Sequence, residues 1–286
     1  MLDIELGRRG PAPKDAATIL CLRDGPNGLE VLCVERHARS RFLGGAIVFP
    51  GGKVDEADAS AEVLAGATPP RATRVPVAES DAALSALAVA ACRECFEEAG
   101  ILYYVGERLA EDALRDMRAR LAKGEKLGAL LREHGVSLDL ARLSPFARWI
   151  TPESEARRFD TRFYLAAAPA LQSAVHDAHE TTDAFWGRPR DVLARFARGD
   201  CALFPPTHRS LEILADVATV EDALALTTSL EPICPELTEH VDAQGKTLAL
   251  TLPGDPAHPV RETRVPGLSR YVLRGEQWLP EPAPAT

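Results

Sequence analysis

The chain has 286 residues, 46% of them hydrophobic, and a formal charge of −9. That length allows one large core, or one core with an appendage. The acidic excess argues against a surface that tracks a nucleic-acid backbone and leaves room for a small phosphorylated substrate. No apolar run is long enough to span a membrane, and Met1-Leu2-Asp3-Ile4-Glu5 has neither the basic start nor the apolar core of a secretion signal. A cytoplasmic protein is therefore expected. The six cysteines, at 21, 33, 92, 95, 201 and 234, form no disulfide framework, and Cys92-x-x-Cys95 lacks the second pair of a zinc site.

Residues 1–13 are a polar lead-in. Two apolar runs, 16–22 and 29–35, are separated by Arg23-Asp24-Gly25-Pro26-Asn27-Gly28 and read as the first hairpin of a mixed sheet. Between 35 and 49 stand Arg36, Arg39 and Arg41 with Gly44-Gly45. Arginine beside glycine suits a phosphate site, because the guanidinium forks onto phosphate oxygens and glycine lets the backbone approach. Residues 46–49 read as a strand leading into the turn Phe49-Pro50-Gly51-Gly52. The stretch 59–79, with Pro69-Pro70 and Pro76, reads as a loop.

Ser80 and Asp81 start a helix that Gly100 ends. On it Glu94, Glu97 and Glu98 fall within an arc of about 100°, while Ser85, Val89, Cys92 and Phe96 lie opposite. The expectation is a helix that buries the second face and exposes the first as a carboxylate cluster. Carboxylates this close repel, and within the segment only Arg93 offsets them. A hard divalent cation such as Mg²⁺ or Mn²⁺ would do so through oxygen ligands.

Residues 107–143 read as a helical insert with breaks at Gly124 and Gly135, serving as a cap over a cleft or a homodimer surface. Strands are expected over 146–151 and 158–166, and Phe185-Trp186 precedes Pro189 at a first helical position. Helices are expected over 204–218 and 220–230. His208 at the start of the first is more often a cap or surface residue than a pocket residue. Glu153, Glu155 and Glu180 lie in connecting loops, from which one carboxylate could join a metal site. Beyond residue 231, runs at 247–252 and 270–273 suggest a C-terminal hairpin, with 281–286 a loose tail.

Residues 93–101, Arg-Glu-Cys-Phe-Glu-Glu-Ala-Gly-Ile, together with the glycine turn, resemble the Nudix box G-x5-E-x7-R-E-U-x-E-E-x-G-U. Counted from Gly52, the first glutamate of the box falls on Asp58, and 34 residues separate Asp58 from Arg93 where the box has seven. A subgroup of large Nudix proteins similar to coenzyme A diphosphatases carries such an insertion. Arg36, Arg41, Gly45 and Phe49-Pro50-Gly51-Gly52 also match the spacing of that subgroup's motif L-L-T-x-R-[SA]-x3-R-x3-G-x3-F-P-G-G. Leu32 fits it; Cys33, Val34 and His37 depart.

The resemblance implies an α/β Nudix fold, a mixed sheet between helices, occupying 14–230 with 231–286 packed on it. It implies that Glu97 and Glu98, with a carbonyl of Gly51 or Gly52, hold Mg²⁺ or Mn²⁺. Glu94 would bind a second ion or position water, and Arg93 would orient the glutamates. Arg36, Arg41, Gly45 and Phe49 become substrate contacts. The implied reaction is hydrolysis of a nucleoside diphosphate linked to another moiety, with coenzyme A or an acyl-coenzyme A favoured over ADP-ribose or a nucleotide sugar. A non-catalytic nucleotide-binding module is the alternative from another class, and Asp58 is the only feature in its favour.

Overall fold

The computed structural model describes residues 4–36, 45–73, 77–170, 172 and 181–283, with the side chains of Arg36 and 181–183 outside that description. The first hairpin forms as its two apolar runs require, from β1 (Lys14–Gly25) and β2 (Gly28–Arg36), with Gly25 opposite Gly28. Gly28 turns at φ +110°, a conformation that a side chain would resist. The short β3 (Ile47–Val48) pairs with β2, whereas β4 (Gly51–Lys53) crosses to the first half of β1. Thr18 there faces Gly51, and Ala17 faces Gly52.

A 3-10 turn (Glu56–Ala59) and α1 (Ala61–Leu64) follow, and then α2 (Asp81–Ala99). The ends of α2 are local chemistry. Ser80 Oγ accepts from Ala83 N–H at 3.2 Å, and Gly100 closes the helix in the left-handed conformation at φ 73°. Next come β5 (Tyr104–Val105), α3 (Glu111–Ala122), α4 (Leu127–Glu133) and β6 (Ser137–Leu138), the two strands pairing with each other.

β7 (Ser144–Ile150), β8 (Phe159–Ala167) and β9 (Thr181–Gly187) complete a seven-stranded sheet ordered β3-β2-β1-β8-β7, with β4 on β1 and β9 on β2. Among the described residues β1 and β8 form the one parallel pair of this sheet, so it is mixed. Alternation along β1 sorts the core into two layers. Ala17, Ile19 and Cys21 join the cluster around α2, whereas Leu20 and Leu22 join the one around α5 (Pro189–Ala197) and α6 (Pro205–Leu214). The architecture is a mixed sheet with helices on both faces, as the resemblance implies. Pro189 occupies the first turn of α5, as its missing N–H favours.

Several expectations need correction. The stretch 59–79 contains α1, which packs on the helical insert: Val63 lies in one cluster with Leu127 and Leu131, and Thr68 Oγ1 donates to Asp139 at 2.8 Å. Insertions separate in sequence thus share one core. α6 stops at Leu214, and α7 (Val220–Leu224) ends six residues early. Beyond α7, Thr228 donates to the Phe146 carbonyl and Ser229 Oγ accepts from Glu231 N–H, side-chain bonds that compete with helix.

The C-terminal part is a four-stranded antiparallel sheet, not a hairpin: β10 (Glu236–Asp242), β11 (Gly245–Thr251), β12 (Arg270–Arg274) and β13 (Gln277–Glu281). Glu281 therefore belongs to a strand. Pro280 sits where its missing N–H is tolerated, on the edge strand. Leu237, Leu250, Tyr271 and Trp278 join the second cluster, and Ile233 exchanges backbone bonds of 2.8 Å with Arg148 and Ile150. Among the described residues no helix is long and apolar enough to cross a membrane.

Candidate active site

The end of α2 is organised by one guanidinium. Arg93 donates through Nε and NH2 to Asp58, at 2.8 and 3.0 Å, through NH1 to Glu94 at 2.8 Å and Glu97 at 3.2 Å, and through NH2 to the Lys53 carbonyl at 3.0 Å. Its five N–H donors thus match five bonds. Burial works against the charge, but the bond to Asp58 and the fields of Glu94 and Glu97 outweigh it and raise the pKa.

Asp58 is 2% exposed. Its place in the box does not turn it toward the glutamates' cavity. It forks onto Arg93 and accepts from Asp55 N–H at 2.8 Å, so the shorter acid anchors the arginine.

The glutamate face is not the solvated one expected. Glu98 and Arg93 are buried, and Glu94 and Glu97 are half-buried. Ala86, Ala88, Ala90 and Ala91 are all buried, and side chains this small let β1 and the neighbouring segments approach α2 closely. Burial pushes the Glu97 carboxyl up to about 7, with Glu94 adding to the rise and Arg93 opposing it. Glu98 Oε2 accepts from Gly51 N–H at 3.1 Å. A side chain on Gly52 would collide with the Glu94 carboxylate, and one on Gly51 with Thr18 and the Ala17 carbonyl. At Gly51 the obstacle is the backbone of β1, which cannot yield, whereas at Gly52 it is the tip of the Glu94 side chain, which would have to leave its place.

Arg118 on α3 was not singled out in the sequence. Its Nε and NH2 donate to the carbonyls of Glu97 and Glu98, at 2.9 and 3.0 Å, satisfying acceptors that a helix end leaves open. No local signal marks it, since its partners lie about twenty residues away on another helix.

Glu94, Glu97, Glu98, Arg93, Gly51, Gly52 and Phe49 all line one cavity of about 1220 Å³, which Arg118 of α3 and Lys123 just beyond it also border. The insert is thus a wall of the cleft. Gly45, at φ +75°, does not line it. Arg41 and Glu180 lie outside the described residues, as does the Arg36 side chain, although its backbone ends β2. An all-oxygen set of three carboxylates, with one cation already fully engaged and Gly52 cut back to make room for Glu94, fits a hard divalent ion.

Other candidates have other partners. His208 is buried, meets the Tyr271 hydroxyl at 3.0 Å and stacks edge-on against Phe196, so it joins α6 to the C-terminal sheet. Glu155 accepts from its neighbours Ala156 and Arg157, and neither it nor Glu153 lines the cavity. His240, Asp242 and Glu281 converge on the C-terminal sheet, but Arg274 bridges the two carboxylates and makes the group an ion-pair cluster. Burial pushes the Cys92 and Cys95 thiols upward, leaving them inert packing groups.

The family model of the NUDT19 Nudix domain matches residues 12–214. The acyl-coenzyme A diphosphatase NUDT19 of Gallus gallus is 30% identical over 260 residues, covering 76% of this chain and 66% of that protein. The Homo sapiens protein of the same name is 27% identical over 235 residues, covering 68% and 63%. The chain thus spans about two thirds of the length of these relatives. A crystal structure of a Nudix hydrolase from Alicyclobacillus acidocaldarius, 35% identical, superposes with a TM-score of 0.65 over 75% of this chain and 96% of its own. Matched over most of its length by that model and sharing its fold with a solved Nudix hydrolase, the chain belongs to the NUDT19 Nudix domain family.

Proposed function

We propose that the chain is a cytoplasmic diphosphatase that uses Mg²⁺ or Mn²⁺ to hydrolyse coenzyme A or an acyl-coenzyme A. The products are 3′,5′-ADP and a phosphopantetheine or its acyl derivative. The observation that carries this reading is the set of three carboxylates gathered around Arg93 and Gly51-Gly52 at one end of a large cavity. The names of the relatives from Gallus gallus and Homo sapiens supply the substrate class. The substrate is a small molecule rather than a nucleic acid, in keeping with the charge of −9. Six free cysteines support a reducing compartment. We read 14–230 as the catalytic unit, with 231–286 packed on it.

In this reading Glu97 and Glu98, with a backbone carbonyl of Gly51 or Gly52, hold the ion. Glu94 holds a second ion or positions the attacking water. When bound, the metal neutralises the diphosphate and lowers the pKa of a bound water. Arg93 keeps Glu94 and Glu97 oriented before substrate arrives, so little reorganisation remains for the transition state. Arg118 holds the carbonyl end of α2 still. Arg36 and Arg41 bind substrate phosphates, with Gly45 and Phe49 beside them.

The test is product chromatography on coenzyme A, acyl-coenzyme A, ADP-ribose and a nucleotide sugar, with Mg²⁺, with Mn²⁺ and with EDTA. Activity that survives the chelator refutes the metal reading. Cleavage of ADP-ribose alone replaces the substrate, and binding without cleavage of any member supports a non-catalytic module. Arg36→Ala or Arg41→Ala should lower kcat/KM on coenzyme A roughly 10- to 150-fold, the scale of a charged hydrogen bond, with far less effect on ADP-ribose, which lacks the 3′-phosphate. Arg39→Ala is the control.

A further inference from the structure

The cavity floor changes chemistry along the sheet. Pairing places Lys53, Ala16, Thr161 and Trp149 in one row across β4, β1, β8 and β7, with Gly51, Thr18 and Phe163 in the next. Three strand spacings carry this floor about 14 Å away from the glycine turn. Its near end is carboxylate, arginine and lysine. Its far end is walled by Trp149, Phe159, Phe163, Phe204, Pro235 and Leu250.

Two of these walls come from outside the matched family domain. Pro235 and Leu250 lie beyond residue 214, in the part that Ile233 stitches to the edge of β7 beside Trp149. At about 1220 Å³ the cavity also exceeds the roughly 300–1,000 Å³ that drug-sized ligands need. The aromatic and aliphatic side chains of this far wall offer no polar partners, although Thr151, Arg157 and Thr207 also line the cavity. Pantetheine amides, ribose and phosphate all carry polar groups that such a wall would leave unpaired, whereas a hydrocarbon chain carries none.

We propose that this apolar limb holds the acyl chain of an acyl-coenzyme A, and that the C-terminal extension, through Pro235 and Leu250, sets the chain length accepted. The inference rests on the diphosphatase reading above. Chain length then governs kcat/KM through burial of methylenes, and the extension is a specificity element of the cleft.

The experiment is kcat/KM with Mg²⁺ for free, acetyl-, butyryl-, hexanoyl-, octanoyl- and longer acyl-coenzyme A, together with ADP-ribose. For the wild type, kcat/KM should rise about fourfold per methylene, the partition of one buried CH₂, and then level off. Leu250→Ala deepens the limb and should move the plateau to longer chains. Leu250 is buried in the core, so its melting temperature is followed. Phe204→Ala, at a half-buried site, should lower the ratio of octanoyl- to free coenzyme A roughly tenfold, the scale of one lost aromatic wall.

Cleavage of free coenzyme A with no chain-length dependence overturns the limb alone. Loss on ADP-ribose equal to that on octanoyl-coenzyme A in Phe204→Ala assigns the wall to the shared adenine and also overturns it. If neither free coenzyme A nor any of its esters is cleaved, the coenzyme A reading falls with it.

Discussion

Arg93→Ala is the sharpest perturbation of the site, because one side chain joins Asp58, Glu94, Glu97 and the Lys53 carbonyl. The arginine and Asp58 side chains are only 9% and 2% exposed, so little solvent screening is available. Breaking a buried pair by removing one partner costs about 3–5 kcal/mol, since the other charge stays behind. At about 2 °C per kcal/mol for a chain of this size, the melting temperature of the metal-free protein should fall by about 6–10 °C. Mg²⁺ should return part of that loss, by neutralising Glu94 and Glu97 but not Asp58, which lies off the cavity. Arg93→Lys keeps the charge but has three donors where five bonds are made, and should fall between the two. The assay is thermal unfolding by circular dichroism, with and without Mg²⁺. A metal-free Arg93→Ala protein melting within about 2 °C of wild type would refute the account of a buried hub.

Other outcomes follow from the same geometry. Glu97→Gln should lose at least ~100-fold in kcat while melting no lower than wild type, which steady-state rates and calorimetry together check. The folded pKa of Glu97, about 7, stands above its unfolded value, so its contribution to stability is full below the unfolded pKa and is lost as pH rises through about 7. The metal-free protein should lose stability over that window, and Mg²⁺ added at pH 6.5 should release protons. Titration calorimetry in buffers of different ionisation enthalpy reads that release, and buffer-independent heats would exclude it. Gly52→Ala should fold but lose activity as its Cβ displaces the Glu94 carboxylate, whereas Gly51→Ala should cost about 1–3 kcal/mol by crowding the Ala17 carbonyl. Denaturant midpoints separate the two.

What the sequence determined by itself was local. Ser80 and Gly100 bound α2 through capping, a matter of a few neighbouring residues, and the spacing of Glu94, Glu97 and Glu98 fixes their common face through helical period alone. Two apolar runs and the turn-rich connection between them were enough for the β1–β2 hairpin, and the glycine turn with the box carried the family. Tertiary structure decided everything that depends on which segments meet. Asp58 finds Arg93 across 35 residues, and Arg118 finds the carbonyls of Glu97 and Glu98 from a helix whose own pattern signals only amphipathy. The same contacts sink a glutamate face that periodicity reads as solvated, because alanine spacing permits close approach without naming what approaches. β10 and β13 escaped notice because polar residues and a proline mask their alternation, and they are held by sheet partners and the second core cluster. Leu250 reaches the cleft only because Ile233 pairs beside Trp149, a register that no single segment encodes.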